Sequence, residues 1–265
     1  MTKAMSKGSS ADIRSFDVPT IIADMHGKVL MKHGEGEDTN RPEIDRRDLR
    51  ILLLNSVPSE KIRWNSKIER VRKQDDGTMA VHCTSGQSES GFRLVVGADG
   101  AWSKARSLVS VYTLVAVFSL LTTPQVTSAK PQFAGKYYLT SNISPTNPFH
   151  QDVESMVGTG NYMSMGGCRM MAAMRLGDRS YYTIAGIKLP EAWKSENAAL
   201  TEDPEQLRKE LVTKHFPHWS KTNTDLITRS DGDFFVWPLY GLPVETMEWS
   251  TVPGVTLIGD AAHIW

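Results

Sequence analysis

Two stretches carry residue types whose order could do chemistry, VVGADGAWSKAR at 95–106 and TLIGDAAH at 256–263. In each, an apolar run of strand character ends in glycine and aspartate. Ligands gather at such carboxyl ends of strands in α/β sheets. Glycine there lets backbone approach a cofactor closely, and an aspartate just past the strand can accept hydrogen bonds from sugar hydroxyls. The same Gly-Asp pair is also common turn chemistry, so either stretch alone is compatible with a plain turn. No arrangement of nucleophile, base and orienting group is evident. Ser164, in NYMSMGG, lacks the first glycine of a nucleophile elbow, and His215-Phe-Pro-His218 has no third metal ligand nearby. No catalytic side chain and no metal ligand is therefore assigned.

These stretches need strands beneath them. From Pro42 to Val57, apolar residues at Ile44, Leu49, Leu52, Leu53 and Val57 recur at near-helical spacing behind a proline, which predicts an amphipathic helix. Ile62–Trp64, Ile68–Val71 and Met79–Cys83 read as a β-meander, the last two split by the turn Asp75-Asp76-Gly77. Phe92–Val96 is a short strand running into Gly97-Ala98-Asp99-Gly100, after which AWSKARSL begins a helix. Cys168–Arg175 and Tyr181–Lys188 form a hairpin across Leu176-Gly177-Asp178-Arg179; helices over 204–216 and 219–229 follow, then strands at 234–237 and 255–258. Met163–Met174 alternates like a strand, and one face could line an apolar pocket, although core packing is the expected role of gap-filling methionines. The fold class is α/β, mixed with α+β: parallel-type strands near the ends and an antiparallel block between them.

Thirty Lys plus Arg balance thirty Asp plus Glu. A neutral chain has no electrostatic reason to bind nucleic acid or an anionic membrane, so a small-molecule partner is expected. Cys83 and Cys168 show no CxxC spacing, which argues against a disulfide framework or structural zinc and for a reducing, cytoplasmic compartment. The first sixteen residues lack a secretory pattern, and the apolar run 108–121 falls short of the ~20 residues a spanning helix needs.

Taken together and in order, the segments resemble group A flavin-dependent monooxygenases. GADGAWSKAR resembles their GADGxxSxxR signature, TLIGDAAH their GDAAH signature, and PEIDRRDLRILLLNSV the helix carrying their FAD-contacting arginine. The likeness is greatest to the tetracycline-inactivating (TetX-like) branch and its fungal secondary-metabolite relatives. It covers most of 40–108 and 126–265, including Trp237-Pro238-Leu239. The resemblance implies a Rossmann-like FAD-binding domain with an inserted antiparallel-sheet substrate domain. It implies FAD and NADPH as cofactors, O2 as co-substrate, and an aromatic or polycyclic metabolite that is hydroxylated or epoxidised by a monomeric enzyme. In such enzymes NADPH reduces the flavin, O2 adds at C4a, and the protein shields the hydroperoxide from water. Residue by residue, Arg46 aligns with the FAD-binding arginine, Asp99 with the motif touching FAD and NADPH, and Asp260 with the aspartate on the ribityl chain. Arg106 would orient Asp99 as an ion pair, while Arg47 and Arg50 read as solvated helix-face charges.

The sequence also departs from that pattern. No strand with GxGxxG opens it, and it stops just after GDAAH, so the resemblance implies an FAD domain cut at both ends and weak or absent FAD binding. The expected organisation is 1–108 partial FAD domain, 126–250 substrate domain and 251–265 return to the FAD domain. Val109–Gln125 interrupts a family-like run and can be encoded with splice donor, branch-point and acceptor motifs in order, which reads as a retained intron or, alternatively, an apolar insertion. Two rivals stay open: an inactive remnant that no longer binds FAD, and a non-oxygenating flavoprotein of similar fold. The Trp-x-Trp-x-Ile-Pro pattern of halogenases is absent.

Overall fold

Alternating apolar residues over much of the middle of the chain give it a large sheet. In the computed structural model, which describes residues 14–15, 18–34, 43–106, 130–246 and 251–264, this sheet has seven strands. The chain divides into two units, residues 1–58 with 135–238 and residues 59–134 with 239–265. The segment 109–125, read as intron or insertion, lies outside the described residues.

The first unit is built on the sheet, ordered Asp231–Gly241, Gln132–Ile143, Tyr181–Lys188, Arg169–Arg175, Asn161–Gly166, Thr20–Asp24, Val29–His33. The hairpin expected across 176–179 is present: Leu176 donates to Ser180 O and Arg179 sits at φ 71°. One sheet face is closed by His150–Val157 and Lys221–Thr228, whose Val153, Val157 and Leu226 pack on Ala23, Ile143, Tyr162, Ala173 and Tyr181. A buried hydrogen bond from Tyr162 to Asn223 Oδ1 (2.6 Å) stitches sheet to helix, and Asn223 Nδ2 reaches back to Met25 O at 3.1 Å. The expected helix over 204–216 is α-helical only across Pro204–Glu210 and widens into a π-turn over Leu211–His215. The strands Thr20–Asp24 and Val29–His33 add to the elements expected from the sequence. Their turn is nonetheless written locally, in an aspartate whose Oδ1 accepts from His26 N and Lys28 N and in Gly27 at φ 83°.

The helix predicted from Pro42 begins at Arg46 and ends at Asn55, behind a short strand Glu43–Ile44. Asp45 stands at its N-cap but spends its carboxylate on Gly177 N (2.9 Å). None of the helix residues is buried, and Leu49, Ile51 and Leu53 are exposed. Amphipathic spacing is thus present without a covered face.

In the second unit Ile68–Lys73, Met79–Cys83 and Ser88–Phe92 form an antiparallel sheet in chain order. Its third strand is Ser88–Phe92 rather than the expected Ile62–Trp64, because residues 84–87 close a second tight turn on Cys83, with Gly86 at φ 85°. SESGF has no apolar alternation, so nothing in it announced a strand. The expected strand over Phe92–Val96 is divided, Phe92 ending the meander and Val95–Gly97 pairing in parallel with Val255–Leu257. Val255, Leu257, Ala261 and Ala262 pack with Val71, Met79 and Ala105 as the core of this unit.

Candidate functional site

Parallel register puts Val95 beside Val255 and Gly97 beside Leu257, so both glycine-aspartate loops leave the sheet at the same end. Ile258 N donates to Gly97 O (2.9 Å), extending the ladder into the second loop. Gly97 is required for this approach: a Cβ built there would lie 2.5 Å from Ala105 Cβ and 2.7 Å from Leu257 Cδ2. Gly259, at φ 57°, turns the chain into the short helix Asp260–His263.

Asp99 is occupied by its own loop. Oδ1 accepts from Ser103 Oγ (2.5 Å), and Oδ2 accepts from Lys104 N (2.6 Å) and, more weakly, Ala105 N (3.4 Å). Partial burial pushes this carboxyl up, but those donors outweigh it and hold it below the ordinary aspartate value. Asp99 therefore closes the 99–105 turn as a helix-capping carboxylate does.

Arg106 does not pair with Asp99 as expected. Among the described residues no ion pair joins them; the guanidinium of Arg106, a residue only 4% exposed, spans the two loops instead. Nε donates to Ala261 O (2.9 Å), and one terminal nitrogen donates to Ala101 O (2.7 Å), with longer contacts to Asp260 O (3.3 Å) and Gly100 O (3.4 Å). Burial lowers its pKa, partly offset by the field of Asp99. A fork of five donors suits four carbonyls on two strands' ends in a way a lysine does not. Sequence reading placed Arg106 at the motif's edge, whereas it is the bridge between motifs 155 residues apart.

Asp260 sits in the first turn of its helix with its side chain exposed, and its carboxylate has no hydrogen-bond or ion-pair partner among the described residues. Arg46 belongs to the first unit, exposed at the start of its helix and likewise without such a partner among the described residues. A cation there opposes the helix dipole, as does Arg47 beside it, so helix stability does not explain either residue. Arg47 does act on Asp178, whose carboxyl is lowered chiefly by hydrogen bonds from Ser180 and in small part by Arg47. Ser164 is buried, donating weakly to Met171 O, and no cluster of three or more metal-ligating side chains occurs among the described residues. No helix among them is long and apolar enough to cross a membrane.

In the first unit the methionine stretch is split by the pleat. Met171 is buried in the helix-covered face. Met163, Met165, Met170 and Met174 lie on the opposite face, with Tyr182 and Tyr138 in register beside them. Trp237, hydrogen-bonded to Thr140 Oγ1 (3.3 Å) and stacked near Phe235, belongs to that face too. The expectation of core packing therefore holds for Met171 and not for its neighbours.

The mixed α/β fold is shared with solved proteins complexed with FAD. No family model matches the chain. It is similar to the monooxygenase penA of Penicillium thymicola, 26% identical over 92% of this chain and 60% of that protein. Among solved structures it superposes on Klebsiella pneumoniae HpxO complexed with FAD and uric acid (TM-score 0.69, 20% identity, 96% of this chain and 59% of that one). It also superposes on the tetracycline destructase Tet(51) (TM-score 0.53, 18% identity, 96% of this chain and 58% of that one). The likeness expected from the three motifs, to fungal monooxygenases and tetracycline-inactivating enzymes, is thus found. The chain spans about 60% of the length of the curated relatives it matches.

Proposed function

We propose that this chain carries the ribityl-side half of an FAD-dependent monooxygenase that uses NADPH and O2 to hydroxylate or epoxidise an aromatic or polycyclic secondary metabolite. The observation that carries this reading is the pair of loops locked together by Arg106, with the Asp260 carboxylate at their shared end left without a partner among the described residues. That group fits a sugar-alcohol chain: a carboxylate accepts from vicinal hydroxyls, and the adjacent Gly259 leaves open space where a Cβ would stand. Arg46 supplies a planar fork of donors for a phosphate or a flavin edge. Bound flavin would supply hydride acceptance and oxygen activation. The protein's own part is to hold the cofactor, exclude water and present the substrate. Support for an aromatic substrate comes from the open sheet face, where polarizable methionines alternate with Tyr138, Tyr182, Phe235 and Trp237. We assign the substrate domain to about 126–250, to whose sheet the strands Thr20–Asp24 and Val29–His33 are added from earlier in the chain, with FAD-domain pieces before and after it in sequence.

Titration of the protein with FAD, followed by flavin fluorescence, tests this. A weak but saturable complex is expected, weakened about tenfold further by Arg46→Ala or Asp260→Ala with no loss of thermal stability, as each removes one charge-assisted contact. Absence of saturable binding would instead identify a remnant without flavin. NADPH-dependent O2 uptake with a product one oxygen heavier separates oxygenation from other flavin chemistry.

A further inference from the structure

In the loop at 97–106 the charged group that looked like the cofactor contact is already used. Both Asp99 oxygens accept hydrogen bonds from Ser103, Lys104 and Ala105, and Arg106 is turned inward onto backbone carbonyls. What the loop presents outward is Trp102, whose indole is 60% exposed. An exposed indole offers a flat, polarizable face of the kind on which a ligand ring can stack. This one is held. Its ring meets Tyr240 edge-on (centroids 5.5 Å, 68°), and Tyr240 in turn meets Phe133 in the same manner (5.8 Å, 64°). With this edge contact in place, Trp102 keeps 60% of its surface exposed. Gly100, two residues earlier at φ 80°, has no heavy atom within 4 Å of where a Cβ would stand.

We propose that Trp102 is a stacking platform for a planar heteroaromatic ring of a dinucleotide, either the isoalloxazine or adenine of FAD or the nicotinamide of NADPH. The inference rests on the flavoenzyme reading above for the ligand's identity and on the loop geometry for the residue. Asp99 is then a positioning residue that sets the loop's shape, and Trp102 is the contact. Stacking of a heterocycle on a protein aromatic ring makes truncation to alanine cost about tenfold in affinity.

Calorimetric titrations of the wild-type protein with FAD, NADPH and ADP-ribose, repeated on Trp102→Ala, Trp102→Phe and Trp64→Phe, test it. Trp102→Ala is expected to weaken at least one ligand about tenfold, Trp102→Phe to restore most of the loss, and Trp64→Phe, exposed elsewhere in the same unit, to change nothing. Loss with ADP-ribose assigns adenine, loss with FAD alone isoalloxazine, and loss with NADPH alone nicotinamide. Unchanged binding by Trp102→Ala, or a phenylalanine variant as weak as the alanine one, overturns the platform while leaving the flavin reading intact. A wild-type protein that binds none of the three overturns both.

Discussion

Replacing Arg106 by methionine should cost the second unit about 3 kcal/mol. The guanidinium makes two well-formed bonds to backbone carbonyls, at 2.7 and 2.9 Å, and two longer ones at 3.3 and 3.4 Å. Charge-assisted bonds of the first kind are worth about 1.5–3 kcal/mol each, so the pair is worth roughly 3–6. Relief of the desolvation borne by a buried cation returns part of that, and methionine fills most of the vacated volume. Two carbonyls that lose their donors account for the remainder. At about 4–8 °C per kcal/mol for a unit of about a hundred residues, the midpoint should fall by about 12–24 °C. Because two units can melt separately, the loss is best localised by hydrogen exchange. Peptides spanning 95–106 and 255–264 should lose protection together in Arg106→Met, while those of 169–188 keep theirs. A midpoint change below about 2 °C, or loosening of only one of the two loops, would refute the bridging role.

The same loop yields two further expectations. Gly97→Ala places a methyl where Ala105 Cβ and Leu257 Cδ2 already stand, an overpacking that should cost about 1–3 kcal/mol in chemical denaturation; a neutral result would mean the parallel pair is looser than its packing indicates. Asp99 has a folded-state pKa below its unfolded one, so its contribution is fully present above the unfolded value and is lost as pH falls through the folded value. Protection of the 95–106 peptide should therefore drop with acid below the ordinary aspartate range, and Asp99→Asn should be weaker at neutral pH and flatter in acid. Equal acid slopes for the two proteins would contradict this account.

What could be read in advance follows from where the information resides. The 176–179 hairpin and the turn at 75–77 are local, each carried by an aspartate or glycine acting within a few residues, and both were legible. Thr20–Asp24 also has a local turn, but it docks in parallel on Asn161–Gly166, far away in the chain, and no local pattern announces that partner. Phe92 and Val95 are both strand residues of an apolar run, yet they belong to different sheets, because partners and not hydropathy decide where a strand ends. The helix at 46–55 shows the converse. Its spacing marks an apolar face correctly, while what covers such a face is not encoded in the helix itself.

At the site the same distinction separates residue type from residue role. Motif order drew attention to Asp99 and Arg106 as a charged pair, since opposite charges seven residues apart around a turn invite that reading. The pairing fails for a geometric reason. Asp99 finds a hydroxyl and two amides inside its own turn, at less desolvation than a buried ion pair would demand. Arg106 is thereby released to satisfy carbonyls at the ends of two strands that no other described side chain serves. A carboxylate engaged by three loop donors has little left to offer a ligand, whereas Asp260, with no such donors among the described residues, keeps both oxygens. The two aspartates therefore differ: the first shapes the loop that holds Trp102 out, and the second leaves its carboxylate exposed.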